Sequence, residues 1–178
     1  MSKTSLRPNE PSLPEALAYF LTWGTYGTWL PGDKRGWVQY RRGWQPPAPY
    51  RESLAKSIMT EAPCILDWQQ RKLVEATIAK HCRIRGWKLY EANCRKMHVH
   101  VVVPTNEDPD VVRDQLKAWC TRALKELERE RRGPNAVIRK KWWAERGSKR
   151  YINDHESLEA VIAYVRDGQD RPREEYRR

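Results

Sequence analysis

The chain has 178 residues with 34 Lys and Arg against 23 Asp and Glu, a formal net charge of +11. This length suits one domain and excludes two full ones. The basic balance indicates a polyanionic partner, with nucleic acid favoured over a membrane surface. The 9 Trp and 8 Tyr argue against disorder and predict a small, aromatic-rich core. The chain lacks an apolar run long enough for a membrane span and an apolar N-terminal secretion signal, so we expect a cytoplasmic, nucleoid-associated protein.

The predicted organisation is one domain with short flanking segments. Residues 1–17 are expected to form a polar lead-in, 18–170 the domain and 171–178 a charged tail. The four cysteines contain no Cys-x-x-Cys pair, which argues against a zinc ribbon or a redox motif. We expect all four to be reduced, partly buried packing residues: Cys64, Cys82, Cys94 and Cys120.

The first half of the domain is predicted to contain a strand, a long excursion and a helix. Residues 18–23 lack helical spacing and are typical of a strand. Residues 22–50 are dense in Gly, Trp, Tyr and Pro, which predicts an extended loop or a hairpin excursion. Apolar residues at helical spacing predict a helix over 66–85 that ends near Gly86.

The second half is predicted to contain two strands, a helix, a hairpin and a last helix. The strands cover 87–94 and 98–103, and Asp108 or Asp110 caps a helix over 111–131. A Gly-Ser pair predicts a β-hairpin between 141–146 and 149–153. Asp154 is expected to cap the helix over 155–167. This order indicates an α+β fold of the split βαβ kind, an antiparallel sheet with helices against one face.

The sharpest chemical signal is the pair His98 and His100 inside the predicted strand over 98–103. Alternate residues of a strand point to the same face, so both imidazoles project together, and neutral imidazole is a common ligand of divalent metals. The alternative is a pair of solvated histidines without a ligand. His81 and His155 are expected to be structural.

Tyr164 lies on the flank of the predicted last helix, about 120° from its apolar stripe. Beside a metal-activated phosphate, a tyrosine hydroxyl can attack and form a covalent intermediate. The alternative is an amphipathic tyrosine that covers the edge of the core. Tyr151 is expected to pack in the hairpin, and Tyr26, in the aromatic excursion, could stack on a base.

The stretch 129–150 holds nine Lys and Arg against two Glu. Cations interleaved with aromatic rings suit single-stranded nucleic acid, because cations follow the backbone and rings stack on unpaired bases. A solvated hairpin is the alternative. The candidate nucleic-acid contacts are Arg139, Lys140, Lys141, Trp142, Trp143, Arg146, Lys149 and Arg150.

Three sequence blocks together resemble a known family. They are the opening FLTWGTYGTWLPGDKRGWV, the His-Val-His strand, and WWAERGSKRYIND followed by a helix with AYVRDGQD. This order, over roughly 18–170, is similar to the HUH single-tyrosine transposases of small insertion sequences and to the REP-associated tyrosine transposases. The resemblance implies a ferredoxin-like antiparallel sheet with helices packed on one face and a late helix that carries the tyrosine.

The same resemblance implies a function and a set of site residues. The expected substrate is single-stranded DNA with a hairpin, cleaved and rejoined through a covalent 5′-phosphotyrosine intermediate with Mg²⁺ or Mn²⁺ as cofactor. His98 and His100 would be metal ligands and Tyr164 the nucleophile. Members of the family act as monomers or as homodimers, and nothing in this sequence decides between the two.

One position departs from the family pattern. The relatives place a third metal ligand, Gln or Asn, four residues after the tyrosine, where this chain has Gly168. We expect Gln169, one residue later, to be the third ligand, with Asp167 as the alternative. The departure keeps a second hypothesis open, a domesticated protein that binds DNA or RNA hairpins without cleaving them. A basic ribosome-associated protein is the third and least favoured reading.

Overall fold

The computed structural model describes residues 16–168. The strands are β1 (Ala18–Gly24), β2 (Trp37–Gln39), β3 (Gly43–Gln45), β4 (Glu91–Cys94), β5 (His98–Val103) and β6 (Ser148–Ile152). The helices are α1 (Pro49–Ser57), α2 (Trp68–Arg85), α3 (Pro109–Arg132) and α4 (His155–Ala163), and a π-helical turn, Tyr164–Gly168, continues α4.

The main sheet has the strand order β4-β5-β1-β6, and all three neighbouring pairs are antiparallel. Helix α2 lies between β1 and β4 in the chain, and α3 connects β5 to β6. This is the β-α-β-β-α-β topology of ferredoxin-like folds, with β2, β3 and α1 inserted after β1. The predicted α+β fold and antiparallel sheet are confirmed.

The two faces of the sheet are covered by different helices. Helices α2 and α3 pack on the face formed by alternate residues of β1 and β5, which are Tyr19, Leu21, Trp23, Val99, Val101 and Val103. The opposite face packs against Leu158 and Val161 of α4. The two long helices therefore share one face, as expected, and the late helix lies on the other.

Local chemistry sets the helix ends. Asp67 and Gln70 form a capping box at the start of α2, and Gly86, with φ of 70°, ends it in the left-handed conformation. This cap makes α2 begin at Trp68, two residues later than predicted. The predicted caps at Asp108 and Asp154 are confirmed, since both side chains accept backbone N–H groups of the first helical turn.

The stretch 22–50 contains the β2–β3 hairpin, one of the two forms predicted for it, and leads into α1, a helix that the sequence did not predict. Two other predicted elements differ in the structure. The strand predicted over 87–94 is reduced to β4. The hairpin predicted around Gly147 is wrong: β6 pairs with β1 instead, and the chain before it turns inward to bury Trp142 at 2% exposure.

The predicted packing of the four cysteines is confirmed, because all four are buried. Among residues 16–168, no helix is both long and apolar enough to cross a membrane.

Candidate active site

The two histidines of β5 lie side by side on the face that α4 covers. Their ring centroids are 4.7 Å apart and their planes meet at 73°. His100 is buried at 6% exposure, whereas His98 is half-buried. The strand alternation that the sequence predicted thus brings two imidazoles together.

Thr22 orients His100. It lies directly opposite His100 in the β1–β5 pairing, and its Oγ1 is 2.8 Å from Nδ1 of His100. When Nδ1 carries the proton and donates it to Thr22, the lone pair of Nε2 is left for another partner. Burial, with the nearby charges of His98 and Arg95, lowers the pKa of His100 to about 3. His100 is therefore neutral at pH 7, the form in which imidazole binds metals.

Tyr164 reaches the histidines from the π-helical turn. Its half-buried ring lies 5.7 Å from the ring of His100 and 6.2 Å from that of Phe20, centroid to centroid. Phe20 in turn stacks on His100, with centroids 5.4 Å apart and planes 22° from parallel. The structure therefore brings together the tyrosine and the histidine pair that the sequence singled out separately.

Two contacts tie the π-helical turn to β4. Asn93 Nδ2 donates to the carbonyl of Val165 at 3.0 Å, and Arg166 Nε donates to Oε2 of Glu91 at 3.0 Å. Asn93 is also the β4 residue directly opposite His100. Strand β4 therefore holds the Tyr164 segment against the sheet at the level of the histidines.

Of the predicted nucleic-acid contacts, Arg150 lies on the site face. It is exposed and lies opposite Phe20 in the β1–β6 pairing. Lys149, its neighbour, points to the other face, where its Nζ is 2.8 Å from Oδ2 of Asp110. The guanidinium carbon of Arg146 lies 3.9 Å from the ring centroid of Tyr40.

Residues 139–141, before β6, are held by contacts with residues far away in the sequence. Glu61 accepts hydrogen bonds from the backbone N–H groups of Lys140 and Lys141, both at 2.9 Å. Arg139 donates to the carbonyl of Ala62 at 2.9 Å. The Nζ of Lys141 lies 5.2 Å from the ring centroid of Tyr26, the candidate for stacking on a base.

Of the two tryptophans predicted to contact nucleic acid, Trp142 is buried and Trp143 is half-buried. Trp142 is in the core, and its Nε1 donates to the carbonyl of Arg139 at 3.1 Å. Trp143 packs edge-on against Trp23, and its Nε1 donates to the carbonyl of Lys117 at 3.1 Å. The expectation that Trp142 stacks on bases is wrong, because this indole fills the space between sheet and helices.

Phe20, Thr22 and Asn93 are site residues that the sequence reasoning missed. Strand alternation could have placed Phe20 and Thr22 on one face of β1. Which residues of β5 they oppose depends on the strand register, for which this part of the sequence carries no signal.

The donor set available for a metal is the histidine pair. Among residues 16–168, no group of three or more His, Cys, Asp and Glu side chains is placed to hold a metal ion. Asp167, the alternative third ligand, is exposed in the π-helical turn. Gln169, the expected third ligand, lies outside the described residues. Two adjacent imidazoles, one buried, neutral and fixed by Thr22, fit two ligands of a divalent metal.

No family model and no curated protein matches the chain. One solved structure with a similar fold is a REP-associated tyrosine transposase bound to a REP hairpin. It is 13% identical, the match covers 92% of this chain and 70% of that one, and the TM-score is 0.47. At these values the similarity is distant.

Proposed function

We propose that this protein cleaves and rejoins single-stranded DNA beside a hairpin, with Tyr164 as the nucleophile. The observation that carries the proposal is the meeting of Tyr164 with His98 and His100 on one face of the sheet. The rings come from two distant parts of the chain, and the contacts of Thr22 and Asn93 fix both parts. A surface that only binds DNA does not need this arrangement.

His98 and His100 would hold a Mg²⁺ or Mn²⁺ ion. Such an ion supplies positive charge to the oxygens of the scissile phosphate. Thr22 keeps the His100 ring in one orientation, and burial keeps it unprotonated.

Gln169 is the third ligand in this proposal. Its side-chain amide carries an oxygen of the kind that divalent metals accept as a ligand, and it follows Tyr164 by five residues where the family pattern has four.

In the cleavage step, the hydroxyl oxygen of Tyr164 bonds to phosphorus and the bond from phosphorus to the 3′ oxygen breaks. The phenol loses its proton and the leaving oxygen gains one, which gives a 5′-phosphotyrosine and a free 3′-OH. A 3′-OH of another strand reverses the step, and the covalent link conserves the phosphodiester energy. Arg150, exposed on the same face, would contact backbone phosphates.

The second candidate is a hairpin-binding protein that does not cleave. It is favoured by the donor set, since the described residues contribute two imidazoles and no cluster of three His, Cys, Asp or Glu. Arg150, exposed on the site face, would contact nucleic acid in this function as well.

A covalent-capture assay separates the two functions. The probe is single-stranded hairpin DNA from beside the protein's own gene, labelled at the 3′ end because the 5′-phosphotyrosine retains the 3′ segment. With Mn²⁺ we expect a labelled, protease-sensitive band on a denaturing protein gel, absent with EDTA and in Tyr164→Phe. Tyr151→Phe is the matched control and should retain the band, because Tyr151 packs against Tyr19 on the opposite face of the sheet.

Two outcomes contradict the cleavage proposal. An equal band in Tyr164→Phe places the nucleophile elsewhere. If no labelled band forms with Mn²⁺ although a native gel shows tight binding, the protein is the hairpin binder that does not cleave.

A further inference from the structure

Two exposed tryptophans are fixed around one glycine in the inserted segment. Trp44 is 64% exposed and Trp29 is 55% exposed. Trp29 Nε1 donates to the carbonyl of Gly36 at 2.7 Å. The indole of Trp44 lies over the same glycine, where a Cβ would come 2.5 Å from Nε1 of Trp44. Both rings are thus held in place yet open to solvent.

The β2–β3 hairpin has one buried and one exposed face. Trp37 points inward and is 7% exposed, whereas Val38 on the next position is 70% exposed. Val38 lies directly opposite Trp44 in the β2–β3 pairing, so both project outward. Exposed apolar side chains gathered on one small face indicate a binding surface.

Charge identifies the class of partner. Residues 34–51 contain five Lys and Arg and no Asp or Glu. Arg35 lies over the Trp29 ring at 5.3 Å but is also paired with Asp33 at 2.7 Å. Arg41 and Arg146 lie against the ring of Tyr40, at 5.3 and 3.9 Å from its centroid. Exposed rings flanked by cations match single-stranded DNA, whose bases stack and whose phosphates need positive charge.

Arg146 also connects this surface to the active site. It lies two residues before Ser148, which is paired with Thr22. Thr22 is in turn the partner of His100. The hairpin therefore adjoins the end of the sheet at which β1 ends and β5 begins with His98.

We propose that the β2–β3 hairpin is a stacking platform for unpaired bases of the single-stranded DNA substrate. Its rings are Trp44 of the hairpin and Trp29, which is hydrogen-bonded to Gly36 beside it. Arg41 and Arg146 contact the phosphates, and the strand continues from there to the histidine site. The proposal rests on the proposed function in taking DNA as the substrate, and it adds the part of the protein that binds the bases.

The test measures binding rather than cleavage, with the full chain carrying Tyr164→Phe and with EDTA present. The probe is fluorescent oligothymidylate of about 16 nucleotides, the upper site size for such surfaces. Trp44→Ala should bind at least about five-fold more weakly, and Trp44→Phe should retain most of the affinity. Trp29→Ala is the second variant. The matched control is Trp68→Ala, since Trp68 is 67% exposed but begins α2, and its affinity should stay unchanged.

An abasic oligonucleotide of equal length and charge separates stacking from charge. The Trp44→Ala defect should disappear on this probe, because the bases that Trp44 would contact are missing. A defect of equal size on both probes, or equal affinities for oligothymidylate in Trp44→Ala, Trp29→Ala and Trp68→Ala, overturns the platform. If the parent protein binds neither oligothymidylate nor hairpin DNA, the proposed function fails together with it. Cleavage by a Trp44→Ala protein that binds DNA normally leaves the proposed function standing and removes the platform alone.

Discussion

The two faces of the main sheet are built from the same strands and have opposite character. On β1, Leu21 is fully buried against α2 and α3, whereas Thr22, the next residue, bonds to a histidine on the other face. On β5, Val99 and Val101 belong to the larger core, and His100 between them belongs to the site. Strand alternation thus separates residues that stabilise the fold from residues available for chemistry.

This separation has a consequence for substitutions. Substitutions at neighbouring positions of one strand should have different effects. A substitution on the core face should change the free energy of unfolding, and one on the site face should change DNA cleavage. Thr22 and His100 form a polar pair on the site face. The neighbouring positions Leu21 and Val101, on the core face, are apolar.

The largest expected effect comes from His100→Ala, which removes a proposed metal ligand. Formation of the covalent DNA adduct should fall by more than about 100-fold, beyond the loss typical of changing a residue that merely orients a ligand. The 3′-labelled capture assay measures the loss, at a temperature where circular dichroism shows a folded protein. His155→Ala is the control, since His155 is exposed at the start of α4. Equal activity in both variants contradicts the assignment of His100.

The next effect is on stability, from Leu21→Ala on the core face. Loss of this fully buried side chain should lower the free energy of unfolding by about 2–5 kcal/mol. Urea denaturation measures it, and thiol labelling at pH 8 is an independent readout. Burial raises the pKa of Cys82 to about 11 and that of Cys94 to about 12, so both thiols should react slowly until the core opens. Labelling as slow as in the parent protein, together with an unchanged urea midpoint, contradicts the expected contribution of Leu21 to stability.

Thr22→Val tests the polar pair with a change of nearly equal volume. It removes the hydroxyl that bonds to His100 Nδ1 and should reduce metal affinity and adduct formation by about 10- to 100-fold. Titration of Mn²⁺ in the capture assay measures the change, which should be partly rescued at high Mn²⁺. Thr22→Ser keeps the hydroxyl and should retain activity. If Thr22→Val behaves like the parent protein, Thr22 does not orient His100.

The smallest expected effect is a difference between metals. Two imidazole nitrogens suit a transition metal better than Mg²⁺, which prefers oxygen ligands and retains its water. Mn²⁺ should therefore support adduct formation at a several-fold lower concentration than Mg²⁺. Parallel titrations of the two metals measure this. A lower requirement for Mg²⁺ argues for a site made mainly of oxygen donors.

The sequence predicted most of the fold because its strongest signals are local. Alternation and β-branched residues placed β5 correctly over 98–103, and Asp and Gly residues marked the ends of α2, α3 and α4. The predicted hairpin around Gly147 failed because the better partner for β6 is β1, which is far away in the sequence.

The candidate site could be predicted only in part, because only some of its signals are local in the sequence. The spacing of His98 and His100 is local, but the contact of Tyr164 with His100 depends on how α4 packs on the sheet. Trp142 and Trp44 both stand in basic stretches, yet one is 2% and the other 64% exposed. Local composition cannot separate them, because the difference arises from which indole the helices cover.

The most direct test of the central claim is to identify the residue that carries the DNA. The covalent adduct is digested with nuclease, trypsin and a glutamate-specific protease, and the peptides are analysed by mass spectrometry. Cleavage after Glu159 and Arg166 releases residues 160–166, which contain Tyr164 and no other tyrosine. We expect this peptide to carry the mass of the residual nucleotide. A nucleotide on any other peptide, such as one with Tyr151, contradicts it.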